Sequence, residues 1–214
     1  MPASPRDDLQ ALKAAIERHC IAKLDAPVQL ASGGWSHYYF DGKGVTLHPR
    51  YARTIGQFMA PAVIASGAEA VGGMAVGSIP ISDAVARAAL DLGTTLPTFF
   101  SRPEAKDHGP SAKAAMSAAV SEDDPPLMRP GRRVAIVEDA VTQGGSSLKS
   151  VEAAEAAGCE VVLVMCVVER HEGGGRRFRE RGIDFKRLFY TLEDGSLHLD
   201  ESLEAALATS PTSP

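Results

Sequence analysis

From residue 68 to residue 170 the chain repeats one pattern: a short apolar run of strand length, then a stretch with helical spacing. AEAVGGMAV (68–76) precedes ISDAVARAALDLG (81–93), which ends on Gly93. LPTFFSRP (96–103) and RRVAIVEDAV (132–141) follow, then VEAAEAAG (151–158) and CEVVLVMCVVER (159–170). Runs that are apolar throughout belong to strands buried on both faces, and strands separated by helices pair in parallel. The pattern predicts an α/β fold, a central and mainly parallel sheet flanked by helices. Such sheets bind ligands at the carboxyl ends of their strands.

Upstream, DLQALKAAIERHC (8–20) sets Leu9, Leu12, Ala15, Ile16 and His19 near helical spacing and predicts a packing helix. The aromatic, turn-rich VQLASGGWSHYYFDGK predicts a hairpin or irregular strand before a further helix over 49–65. Residues 104–131 are polar, rich in Ala, Ser and Pro, and without period; a loop this long in a compact domain is functional or mobile, and we expect a lid. Residues 1–6 and 209–214 are expected to be disordered. With 214 residues, 44% of them hydrophobic, the chain can close one sizeable core, so a single domain over 1–214 is expected.

A net charge of −5 and a pI near 5.7 argue against binding nucleic acid or an anionic membrane through a general positive surface. An anionic ligand must be caught locally. Cys20, Cys159 and Cys166 are odd in number and have no metal-ligand spacing, which fits a reduced, cytoplasmic chain. No stretch approaches the length of a membrane span, and the start lacks the apolar core of a secretory signal.

The strongest local signal is RRVAIVEDAVTQGGSSLKSV, residues 132–151. A strand runs into Glu138 and Asp139, then Ala140 and Val141, then the loop Thr142, Gln143, Gly144, Gly145, Ser146, and then a helix. Backbone N–H groups of a Gly/Ser/Thr loop opening a helix converge on one point, where the helix dipole adds positive potential, so a phosphate monoester is favoured. Carboxylates just before that cradle suit the hydroxyls of an attached sugar or a metal-bound ligand. A bare GGSS turn would read as a helix cap; strand, acid pair, Thr and glycines together point further.

A second cluster, FFSRPEAKDHG, carries Arg102, Glu104, Lys106 and His108. Alone, a mixed charge run is a solvated face; placed before the long loop, its charge-assisted donors suit a pyrophosphate. Tyr39 and Phe40 in VQLASGGWSHYYFDGKGVTL could be core packing or a platform for a planar ring. Arg170 in VVERHEGGG could be a solvated loop residue or a fork for a carboxylate or carbonyl edge.

Over 132–151 the chain resembles the phosphoribosyl pyrophosphate (PRPP) motif of type I phosphoribosyltransferases. Across 8–199 it is similar, in order, to the orotate phosphoribosyltransferases, as a divergent member. The resemblance implies a type I phosphoribosyltransferase fold with a small N-terminal hood. It implies transfer of the 5-phosphoribosyl group from PRPP to orotate, giving orotidine 5′-monophosphate and pyrophosphate, in de novo pyrimidine biosynthesis. Carried over by residue, Glu138 and Asp139 hold the ribose hydroxyls, residues 140–146 bind PRPP with the 142–146 loop on its 5′-phosphate, and Arg102, Lys106 and His108 cover pyrophosphate. Tyr39, Phe40, Thr142 and Arg170 orient orotate. Lys106, His108 and Asp139 are the implied catalytic residues, Mg²⁺ arrives with PRPP without a protein metal site, and the unit is a homodimer whose lid crosses to the partner's site.

The chain departs from the family pattern where lysines are usual: Ala31, Pro103 and Gly77 stand at those positions, and Glu138 stands where Asp is frequent. Fewer fixed charges weaken the hold on pyrophosphate unless other groups compensate. Two rival readings stay open, a phosphoribosyltransferase for another base and a PRPP- or nucleotide-binding regulator without turnover.

Overall fold

The computed structural model describes residues 4–29, 35–102, 116–119 and 126–209. Helix α1 (Pro5–His19) leads to β1 (Ile21–Gln29) and β2 (Trp35–Phe40), then α2 (Lys43–Thr46) and α3 (Pro49–Ala65). The alternating part is β3 (Ala70–Met74), α4 (Ser78–Asp91), β4 (Thr98–Ser101), β5 (Met116–Ala118), β6 (Arg133–Val141), α5 (Gly145–Ala156) and β7 (Glu160–Glu169). It closes with α6 (Gly175–Glu180), β8 (Asp184–Thr191), β9 (Leu197–Leu199) and α7 (Glu201–Thr209).

Strands β5-β4-β3-β6-β7-β8-β9 form one seven-stranded sheet in that order. The five inner strands are parallel and the two edge strands, β5 and β9, pair antiparallel. The expected mainly parallel sheet is therefore present. Strand β6 lies at its centre because residues 134–138 are all buried, as a strand covered on both faces requires.

Side chains alternate across the sheet. Ala135 and Val137 pack with Leu12, Ile16, Ile55 and Met59 of α1 and α3 on one face. Val134 and Ile136 pack with Val151 and Ala154 of α5 and with Phe178 of α6 on the other. Each fully buried aliphatic side chain in these layers contributes about 1.5–3 kcal/mol over its exposed state.

Three expectations change. Residues 4–6, placed in the expected disordered start, open α1, where Ser4 and Asp7 form a reciprocal cap, with Asp7 N–H donating to Ser4 Oγ at 3.2 Å and Pro5 preset for the first turn. At the other end, α7 runs to Thr209. Within the expected lid, Met116–Ala118 pair with β4 as β5, and Leu127 is buried.

Strands β1 and β2 pair only with each other, as a two-stranded sheet over one end of the large one. This is the expected hood. Its anchor is Tyr38, fully buried, whose hydroxyl stands 2.7 Å from Thr191 Oγ1 at the end of β8. Among the described residues no helix is long and apolar enough to cross a membrane.

Candidate active site

At the carboxyl end of β6 the two adjacent acids part company. Glu138 continues the even-numbered series toward α5, and Asp139 the odd-numbered series toward α1 and α2. Their side chains therefore leave β6 on opposite faces, Glu138 buried and Asp139 partly exposed. Glu138 is buried and its Oε1 meets no partner. Burial, then the Asp139 charge, pushes its pKa up to about 8, offset in part by the Met74 backbone N–H and the Ser147 hydroxyl.

Asp139 sits between two turns. A Cβ on Gly42 would lie 2.9 Å from Asp139 Cβ, and one on Gly77 would lie 3.0 Å from Asp139 Oδ1. Only glycine lets both backbones come this close to the carboxylate. Oδ1 accepts the Ala140 N–H at 2.8 Å. Burial raises the Asp139 pKa, while the Ala140 amide and the Lys43 ammonium pull it back.

The loop after β6 has the form expected of an anion cradle. Gly144 takes φ 78° and ψ 10°, the left-handed conformation that glycine adopts without a Cβ penalty, and caps α5. The Thr142 carbonyl accepts the Gly174 N–H, and the Gln143 carbonyl accepts Arg177 Nη1, each at 2.9 Å. In a trans peptide the next N–H points opposite to the carbonyl, so the Gln143 and Gly144 amides turn away from that outer wall. Gly145 and Ser146 are exposed at the head of α5, whose first amides have no intrahelical partner. Val141 is buried, and its carbonyl accepts the Arg170 N–H at 2.8 Å.

Arg170, expected to face a planar ligand, is itself buried. Its Nε donates to Tyr38 Oη at 3.2 Å, Nη2 donates to Ser36 Oγ at 2.9 Å, and Nη2 lies 3.3 Å from Glu172 Oε1. The hood thus takes up much of its hydrogen-bonding capacity. Tyr39 and Phe40 are neighbours on β2 and point to opposite sides: Tyr39 is 53% exposed, whereas Phe40 packs on the core. Only Tyr39 remains available to a ligand on the open side. Arg102 donates from Nη1 to Ser117 Oγ at 2.8 Å and lies 4.6 Å over the Phe100 ring, tying β4 to β5.

Lys106 and His108 lie outside the described residues, as do Glu104, Pro103 and Ala31. The three cysteines are free and buried, and burial raises their thiol pKa values, that of Cys20 to about 11. Such thiols are poor nucleophiles. Sequence reasoning missed Tyr38, adjacent to the chosen aromatic pair, and Lys43, the last residue of the quoted FDGK. The arrangement can hold a phosphate in the cradle and hydroxyls on Asp139, a site for positioning and charge.

Residues 66–182 match the family model described as "Phosphoribosyl transferase domain". The chain is 37% identical over 191 residues to the orotate phosphoribosyltransferase of Rhodopirellula baltica, covering 86% of this chain and 93% of the relative. It is 37% identical to that of Aquifex aeolicus, over 81% and 90% of the two chains. The solved structure of Mycobacterium tuberculosis H37Rv orotate phosphoribosyltransferase in complex with PRPP is similar at a TM-score of 0.66 and 27% identity, covering 87% of this chain and 98% of that one.

Proposed function

Because the chain belongs to the orotate phosphoribosyltransferases, a family of phosphoribosyl transferase domains, we propose that it transfers the 5-phosphoribosyl group of PRPP to orotate. The products are orotidine 5′-monophosphate and pyrophosphate, a step of pyrimidine nucleotide synthesis. The observation that carries this reading is the β6–α5 junction, where one carboxylate, Asp139, stands three residues before a loop built to receive a phosphate monoester. The 5′-phosphate sits on the Gln143 to Ser146 amides and Asp139 takes the ribose hydroxyls. Tyr39 and Thr142 border the acceptor ring, and Arg170 fixes the hood strand that carries Tyr39. Glu138 supports the floor from the far face.

The anomeric carbon becomes cation-like as pyrophosphate leaves, so rate comes from positioning and from charge placed around the leaving group. Lys106 and His108 supply donors to pyrophosphate. Mg²⁺ would come with PRPP, and Asp41 and Asp139 are the carboxylates beside this corner among the described residues. Mg²⁺ neutralises charge on the leaving group when bound. The unit we propose is a cytoplasmic homodimer. Three free thiols fit a reducing compartment, and exposed Leu47, Leu90 and Leu92 beside the α3 and α4 grooves offer an apolar face to a second copy.

The test follows the loss of orotate absorbance on mixing with PRPP, with and without Mg²⁺, beside a panel of purine and pyrimidine bases. Mg²⁺-dependent loss selective for orotate is the expected result. Turnover of another base, or PRPP binding without turnover, would replace this reading with one of its rivals.

A further inference from the structure

A ribose held on Asp139 with its phosphate in the cradle turns its C1 substituent away from the cradle. The two segments that close on Asp139 from other directions are the β3–α4 turn at 75–77 and the β2–α2 turn at 41–43, which meet it through Gly77 and Gly42. A diphosphate leaving from C1 carries several negative charges into this corner. It needs a cation there.

The described basic groups nearest by sequence logic are committed elsewhere. Arg102 is spent on Ser117 and the Phe100 ring, and Arg170 is buried against Tyr38 and Ser36. Lys43 is different. It follows Gly42 directly, its side chain is 53% exposed, and among the described residues it forms an ion pair with Asp41, Nζ to Oδ1 at 3.0 Å. Its charge acts on both Asp139 and Tyr39, which places this exposed ammonium in the neighbourhood of the carboxylate. Asp41 also accepts the Lys43 backbone N–H at 3.1 Å, which fixes the turn that carries the side chain.

Resting on the function proposed above, we infer that Lys43 is a substrate-binding residue: it leaves Asp41 and pairs with the diphosphate of PRPP beside Asp139. An exposed ion pair with a single carboxylate is weak and readily exchanged for a multiply charged anion. Asp41 is then the resting partner that holds the ammonium in place until substrate arrives. A flexible ammonium on the hood supplies charge to a corner whose opposite turn, Ala75, Val76 and Gly77, carries none.

The experiment compares the parent with Lys43→Gln, Lys43→Arg and Asp41→Asn, measuring steady-state constants for PRPP and orotate, and calorimetric affinity for inorganic pyrophosphate with Mg²⁺. Loss of one charge-assisted contact predicts that Lys43→Gln weakens PRPP and pyrophosphate by about 10-fold, with KM for orotate within about twofold. Lys43→Arg restores most of the loss. Asp41→Asn binds pyrophosphate as tightly as the parent or more so. Pyrophosphate and PRPP affinities of Lys43→Gln within twofold of the parent would overturn the inference, as would a loss in Asp41→Asn alone. If the parent binds pyrophosphate but does not convert orotate, the proposed function fails, and the calorimetric comparison still decides the role of Lys43.

Discussion

The guanidinium of Arg170 lies 4.4 Å over the ring of Tyr38 and donates to its hydroxyl at 3.2 Å, joining the end of β7 to the hood. The same hydroxyl reaches Thr191 on β8. Tyr38→Phe keeps the ring under the cation and removes only the hydroxyl. It should cost about 1–2 kcal/mol of stability, the price of a buried hydrogen bond with its partners left unpaired. We expect kcat/KM for orotate to fall several-fold with PRPP affinity unchanged, read by urea melts and steady-state kinetics.

Asp139→Asn removes the one carboxylate on the ligand side of β6 and leaves shape intact. Burial raises the Asp139 pKa, so ionising it in the folded state works against folding, and the neutral amide should be as stable as the parent at pH 7 or more so. Turnover should drop by about 100-fold or more, the scale on which lost electrostatic contacts act in active sites. Near-parental turnover in a folded Asn variant would remove Asp139 from the site.

Glu138→Gln should behave in the opposite way, with activity kept within a few-fold and stability made less sensitive to pH. The folded carboxyl titrates at about 8, against a reference of 4.5. Between those values the folded protein holds a proton that the unfolded chain has released, so the parent loses stability as pH rises through this window. The Gln variant lacks that loss, and its advantage over the parent should grow by about 4 kcal/mol at most from pH 5 to pH 9, at about 1.4 kcal/mol per unit of difference between folded and unfolded pKa. Urea melts at pH 5, 7 and 9 measure it. A large activity loss instead would put Glu138 on the sugar after all.

Gly144→Ala places a Cβ at φ 78° and 3.2 Å from the Phe178 ring. Left-handed backbone costs a non-glycine residue about 1–2 kcal/mol, and the loop would relax by turning its amides. Both thermal stability and PRPP affinity should fall, with KM for orotate much less affected.

How much of this was legible in the sequence follows from how each signal is encoded. Strands β3, β6 and β7 are continuous apolar runs, and the cradle is a local string of Gly and Ser, so both were readable. Strand β8 escaped notice because DFKRLFYT carries Lys186 and Arg187, and Arg187 is a charged residue made structural by Glu169, Asp200 and Glu201, partners 13 to 18 residues away. Strand β5 is three residues in an Ala- and Ser-rich stretch and exists because β4 offers an edge. The opposite orientations of Glu138 and Asp139, and of Tyr39 and Phe40, follow from the two-residue period of a strand, yet adjacency in sequence suggested pairing. Burial of Arg170 depends on Tyr38 and Ser36, more than 130 positions earlier, and no local pattern records it.

The hood's separate sheet has an energetic consequence. A lone two-stranded ribbon is marginal in water, so β1 and β2 owe their order to what they dock on, while β6 and β7 are held from both sides. The protein therefore contains two cooperative units of unequal strength, and hydrogen exchange should find the hood amides opening well before those of the central strands.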